Sequence, residues 1–97
     1  MMNDIEIFKP IPNYPNYSVS SYGRVLRNGS RGYMRELKPD NHNGRLRVSL
    51  SYNGVVKKFY VHRLVAEAFI PKEDFHYSVK HIDGDSSNNY YKNLEWI

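Results

Sequence analysis

One histidine and two carboxylates stand close together near the end of the chain. In Ser78 to Ile97, SVKHIDGDSSNNYYKNLEWI, a β-prone run delivers His81 to the mouth of an Asp/Gly/Ser/Asn loop, and a second short apolar run, Asn93 to Ile97, closes it. Such a hairpin presents an imidazole, the side chain whose ordinary pKa lets it accept and release a proton near neutral pH. Asp83 and Asp85 carry the hard oxygens that Mg²⁺ and Ca²⁺ prefer, but they miss the spacing of a calcium-binding loop, and local Asx turns account for them more simply. Lys80, directly before His81, has three donors and no acceptor. It cannot ligate a cation.

The other chemistry-bearing residues are basic. From Arg24 to Arg63 there are ten Lys/Arg against Glu36 and Asp40, a local +8, whereas residues 64–97 carry three Lys against six Asp/Glu, a local −3. A basic middle points to a polyanion, most economically nucleic acid; the competing reading is an ordinary solvated face. Arg24, Arg27, Arg31, Arg35, Arg45, Arg47, Lys57 and Lys58 are the candidate DNA contacts. Two-stranded ribbons fit the major groove, and a tyrosine among them is able to stack on an unpaired base.

The elements that must position these residues are short. Glu6 to Pro15, with Pro10, Pro12 and Pro15, is excluded from helix and reads as an extended, packed arm. Asn16 to Arg27 reads as two β-prone pieces around a Ser/Gly turn, Asn28 to Tyr33 as a flexible loop, and Arg35 to Lys38 as a strand. In Arg45 to Val61, Asn53-Gly54 between two β-rich runs is a strong hairpin signal, because a type I′ turn needs positive φ at both central residues. That turn pairs Val48 with Phe59 and Leu46 with Val61 on an apolar face. It pairs Arg47 with Tyr60 and Ser49 with Lys58 on the other, and leaves Lys57 near the tip of the apolar side with its ammonium in water. Val61, Leu64, Val65, Ala68 and Phe69 then follow helical spacing up to Pro71, and so short a helix needs packing, expected against the hairpin and Trp96. On that helix Arg63 and Glu67 are spaced to form an exposed pair. His62 reads as a capping or packing residue, and His42 and His76 have no partner pattern.

With 97 residues, the chain has room for one compact core, and its 14% aromatic content can fill it despite a mean hydropathy of −0.70. The absence of cysteine excludes disulfides and thiolate zinc sites and favours a reducing cytoplasm. No apolar run approaches a membrane span, and MMNDIEIF lacks the features of a signal peptide.

The run Val79-Lys80-His81-Ile82-Asp83-Gly84, followed by Asn88-Asn89 and Asn93-Leu94-Glu95-Trp96 and preceded by VHRLVAEAFIP, resembles the HNH (ββα-metal) endonucleases of the phage homing type. Glu6 to Leu26 resembles the small module placed before such nucleases, with Phe8 where the module usually has Trp. The resemblance implies an α+β fold: small antiparallel hairpins, one short central helix and a ββα C-terminal hairpin. It implies residues 1–40 as an N-terminal nuclease-associated module and 41–97 as an HNH-like unit. It casts His81 as the general base that activates water against a phosphodiester, or as its vestige. A purely structural imidazole hydrogen-bonded within the loop is the other reading. The family's divalent ion, Mg²⁺ or a relative, is held by an Asn or Asp where this chain has Lys80, and by a residue of a helix expected after Ile97. The expectation is therefore a truncated unit with no intact metal site and no cofactor. Its partner would be duplex DNA, its cleavage impaired, and its setting the cytoplasm of a bacterial host. The alternative partner is a host nuclease, such as a CRISPR effector, blocked by the same scaffold.

Overall fold

The computed structural model describes residues 4–97; Met1 to Asn3, read above as the head of the N-terminal module, lie outside the described residues. The first sheet has the order β1-β2-β3-β4, from β1 (Phe8–Ile11), β2 (Tyr14–Ser20), β3 (Val25–Asn28) and β4 (Met34–Glu36). The second has the order β5-β6-β7, from β5 (Asp40–His42), β6 (Arg45–Tyr52) and β7 (Val55–Tyr60). Helix α1 (Val61–Phe69) follows directly, and β8 (Val79–His81) pairs with β9 (Leu94–Trp96) in a two-stranded ribbon. Every pairing is antiparallel. The fold is α+β, with one α-helix among the described residues. Among the described residues no helix is long and apolar enough to cross a membrane.

Local chemistry explains most of these elements. Asn53 and Gly54 have φ of 52° and 78°, the double positive φ of a type I′ turn, and the strands leave it in the register Val48↔Phe59, Ser49↔Lys58 and Leu50↔Lys57. The pairing expected between Leu46 and Val61 does not form. β7 ends at Tyr60 because Val61 already belongs to the helix, and Leu46 faces Asn41 instead. That extra strand, β5, is joined to β6 by Asn43-Gly44, φ 54° and 85°, the same turn chemistry used a second time. The N-terminal arm is extended but folds back on itself: Pro12-Asn13, with Asn13 at φ 68°, turns β1 onto β2. The loop after β3 contains a 3-10 turn over Ser30–Gly32, and β4 lies slightly earlier than expected, at Met34–Glu36.

Helix α1 stops where proline dictates. Ile70 precedes Pro71 and adopts φ −121°, ψ 121°, while its N–H still bonds to Ala66 O at 3.0 Å. The helix sits at the centre of a core drawn from every layer: Ile11, Tyr17, Val19 and Val25 from the first sheet, Val48 and Leu50 from the second, Val61, Leu64 and Val65 from α1, and Leu94 from β9. Polar stitches cross the same seams. Ser51 N–H donates to Tyr17 Oη at 3.2 Å, and Trp96 Nε1–H donates to Ile70 O at 3.1 Å, so Trp96 does brace the helix end. Arg63 and Glu67 pair at 3.2 Å as their spacing implied, and the Arg63 guanidinium also lies over the Trp96 ring.

Candidate functional site

His81 ends β8, paired with Leu94 across the ribbon, and is half-buried. Its Nε2 lies 2.8 Å from Oδ1 of Asn89, a residue only 4% exposed. An amide oxygen only accepts, so Nε2 carries a proton, and in that tautomer of the imidazole the lone pair sits on Nδ1. Asn89 is one of the residues that carry the family resemblance; its bond to His81 joins residues whose proximity no local pattern reveals.

The loop between the strands is held by its own side chains. Asp83 Oδ1 accepts from Asp85 N–H at 2.8 Å and Asn93 Nδ2 at 2.9 Å, and Oδ2 accepts from Asn88 Nδ2 at 2.9 Å. Asn93 Oδ1 in turn accepts from Asp83 N–H at 3.0 Å. Asp85 Oδ1 accepts from both Ser87 N–H and Ser87 Oγ–H. These bonds favour the charged carboxylates, so Asn88 foremost holds Asp83, and Ser87 holds Asp85, below the usual carboxylate range. Both acids thus serve the Asx-turn role. Lys80 is exposed and faces Glu95 across the ribbon. Among the described residues no group of three or more His, Asp or Glu side chains is arranged to hold a metal ion.

A second histidine lies against the first. His62, in the first turn of α1, is 7% exposed, and its ring centre lies 5.0 Å from that of His81. Its Nδ1 is buried with no hydrogen-bond partner. Burial, reinforced by His81, Arg45 and Arg63, pushes the His62 pKa down to about 4, so the ring is neutral. The Tyr60 ring also packs against His62 with centres 5.4 Å apart, and His42 lies 6.3 Å from Tyr60. His42, Arg45, Arg47 and Tyr60 share one face of the second sheet by strand alternation and pairing. The row of rings therefore runs from that basic face to His81. His42 gave no sequence signal; its neighbour Asn43-Gly44 marked the turn that places it.

The eight basic candidates divide by partnership. Arg24 is paired with Glu6 at 2.8 Å and Glu36 at 2.8 Å, and Arg47 and Lys58 share Asp40 at 3.0 and 3.2 Å. Arg27, Arg31, Arg35, Arg45 and Lys57 are exposed and make no ion pair among the described residues. Arg27 and Arg35 stand directly opposite each other on β3 and β4, with Arg31 in the connection between them. Arg45 lies on the face with His42 and Tyr60. Lys57, opposite Leu50, belongs to the other face of that hairpin, where it lines a groove of about 930 Å³ with Tyr14, Tyr52 and Phe59. Lys57 thus lies apart from Arg45.

Comparison with known proteins agrees with this architecture. Residues 6–51 match the NUMOD4 motif and residues 59–97 match the HNH endonuclease family. The chain is 39% identical over 88 residues to the uncharacterized HNH endonuclease L245 of Acanthamoeba polyphaga mimivirus, covering 90% of this chain and 26% of that protein. It is 35% identical over 91 residues to the DNA endonuclease I-HmuI of Bacillus phage SP01, covering 93% of this chain and 51% of that one. A solved structure described as DNA binding and cleavage by the HNH homing endonuclease I-HmuI superposes with a TM-score of 0.82 at 36% identity, over 94% of this chain and 52% of the other. The chain thus spans from about a quarter to about half the length of these relatives. None of them supports a nuclease inhibitor. A NUMOD4 motif leading into an HNH segment, on the backbone of I-HmuI, makes this chain a homologue of the HNH homing endonucleases.

Proposed function

We propose that this chain binds duplex DNA and carries the general-base half of an HNH nuclease centre, with cleavage impaired by Lys80. The observation that carries the reading is the His81–Asn89 pair, 2.8 Å between Nε2 and Oδ1, with Lys80 immediately before it in the strand. Asn89 holds the ring as the Nε2–H tautomer, leaving the Nδ1 lone pair to take the proton of a water attacking a phosphodiester. The leaving oxygen then needs positive charge, and the family resemblance implies a divalent ion for that work. The residues present do not fit one. Lys80 has no lone pair to give, and both oxygens of Asp83 and Oδ1 of Asp85 already accept loop donors.

DNA contact is supported by the distribution of unpaired charge. Like charges opposite each other on a sheet, as at Arg27 and Arg35, destabilise it unless an anion lies between them. A phosphate meets that need and leaves Arg45, on the face whose rings lead to His81, to contact the same backbone. DNA binding and cleavage, the properties named for the solved relative, come to this chain as part of this proposal. The test is a gel-shift titration on duplex DNA together with a plasmid-nicking assay in Mg²⁺ and Mn²⁺. Retarded DNA without nicking is expected. Nicking that requires a divalent ion and vanishes in His81→Ala would overturn the impaired reading, and no retardation at low salt would overturn DNA binding.

A further inference from the structure

We propose that the Ser20–Gly23 turn of the N-terminal module is a positioning element for His81, acting through Asn89; its meaning for catalysis rests on the reading of His81 as a base. Three consecutive residues of the turn meet three consecutive residues of the C-terminal loop in antiparallel order. Ser21 O accepts from Tyr91 N–H at 2.9 Å, and the Tyr22 ring packs edge-on against Tyr90 with centres 5.3 Å apart. Gly23 lies so close to Asn89 that a methyl added to it would sit 2.8 Å from Asn89 Cβ and 3.2 Å from Asn89 O.

The turn is a stiff support. Ser20 is fully buried, its Oγ accepts from Tyr22 N–H at 3.1 Å and Arg24 N–H at 3.0 Å, and Gly23 N–H donates to Ser20 O at 3.0 Å. Gly23 has φ of +90°, a conformation a β-carbon resists, and glycine also permits the close approach. Asn89 is therefore pressed between a rigid turn on one side and the imidazole on the other. A support displaced by about 1 Å is enough to spoil a catalytic geometry, and here the support comes from a different module than the histidine.

Nuclear magnetic resonance on the whole chain, without DNA, tests this. The His81 Nε2–H proton is protected by its bond to Asn89 and is expected as a slowly exchanging imidazole signal, assigned by its loss in Asn89→Ala. Gly23→Ala and Tyr22→Leu are expected to abolish that signal while the amide spectrum stays dispersed. Gly54→Ala places the same strain, φ +78°, at a hairpin tip with nothing within 4 Å, and is expected to leave the signal intact. If Gly23→Ala does not fold, Tyr22→Leu decides. Full signal in folded variants of the turn, or no signal in the wild type, would overturn the proposal. Because the readout needs neither DNA nor cleavage, a chain that fails to bind or nick DNA refutes only the functional reading, not this one.

Discussion

The imidazoles of His62 and His81 lie 5.0 Å apart, tilted by 58°, and their surroundings differ sharply: His81 Nε2 bonds to Asn89, whereas His62 Nδ1 is buried with no partner. A neutral His62 leaves no positive charge against the ring that would accept a proton.

That burial makes stability pH-dependent. The folded pKa of His62, about 4, lies below the 6.5 of an exposed histidine, so the unfolded chain takes up the proton first as pH falls. The stability is fully present above about pH 6.5 and drains away between there and pH 4, by about 2 kcal/mol at pH 5 from the shift alone. Asp4, Glu6, Asp40, Asp83 and Asp85 are held low chiefly by Tyr90, Arg24, Arg47, Asn88 and Ser87, so their losses begin only near the ordinary carboxylate range. Thermal melts from pH 7 to 5 should show a falling Tm in the wild type and a flatter line in His62→Phe. Parallel lines would refute the assignment.

DNA affinity should depend steeply on salt. If Arg27, Arg31, Arg35 and Arg45 each meet a phosphate, the log–log slope is roughly −3 to −4. Arg27→Glu and Arg45→Glu should each flatten it, whereas Lys72→Glu should not. Equal effects from all three would exclude this footprint.

Lys80→Asn alone should not restore cleavage. The change removes the misplaced charge and returns one amide oxygen, yet an ion with a single protein ligand remains mostly hydrated. Nicking rates of wild type and variant in Mg²⁺ and Mn²⁺ decide the matter. Strong activity in Lys80→Asn would mean that Asp83 or Asp85 leaves its loop bonds to complete a site.

Leu50→Ala should cost about 2–5 kcal/mol, because Leu50 is fully buried among both sheets and the helix. Chemical denaturation of the variant measures it. A cost under about 1 kcal/mol would mean that this core collapses around the missing side chain far more readily than most.

What the sequence determined by itself is the part of the fold written in neighbours. Asn53-Gly54 specifies its turn through two positive φ values, the strand period then sets the register, and Val61 to Phe69 with Pro71 bounds the helix, because each depends on residues a few positions apart. Asn43-Gly44 carried the same information and marks β5 equally well. The HNH-like run from Val79 to Trp96 was likewise legible, since its motif is contiguous. Only the tertiary structure decided the rest. Arg24, Arg47 and Lys58 are neutralised by Glu6, Glu36 and Asp40, some as far as 18 residues away, so a count of charges overstated the free ones. Asn89 faces His81, Gly23 faces Asn89, and His62 packs against His81, because packing around one core selects those partners by shape. Side-chain shape complementarity has no period along a chain, so contacts of this kind exist only once the layers have met.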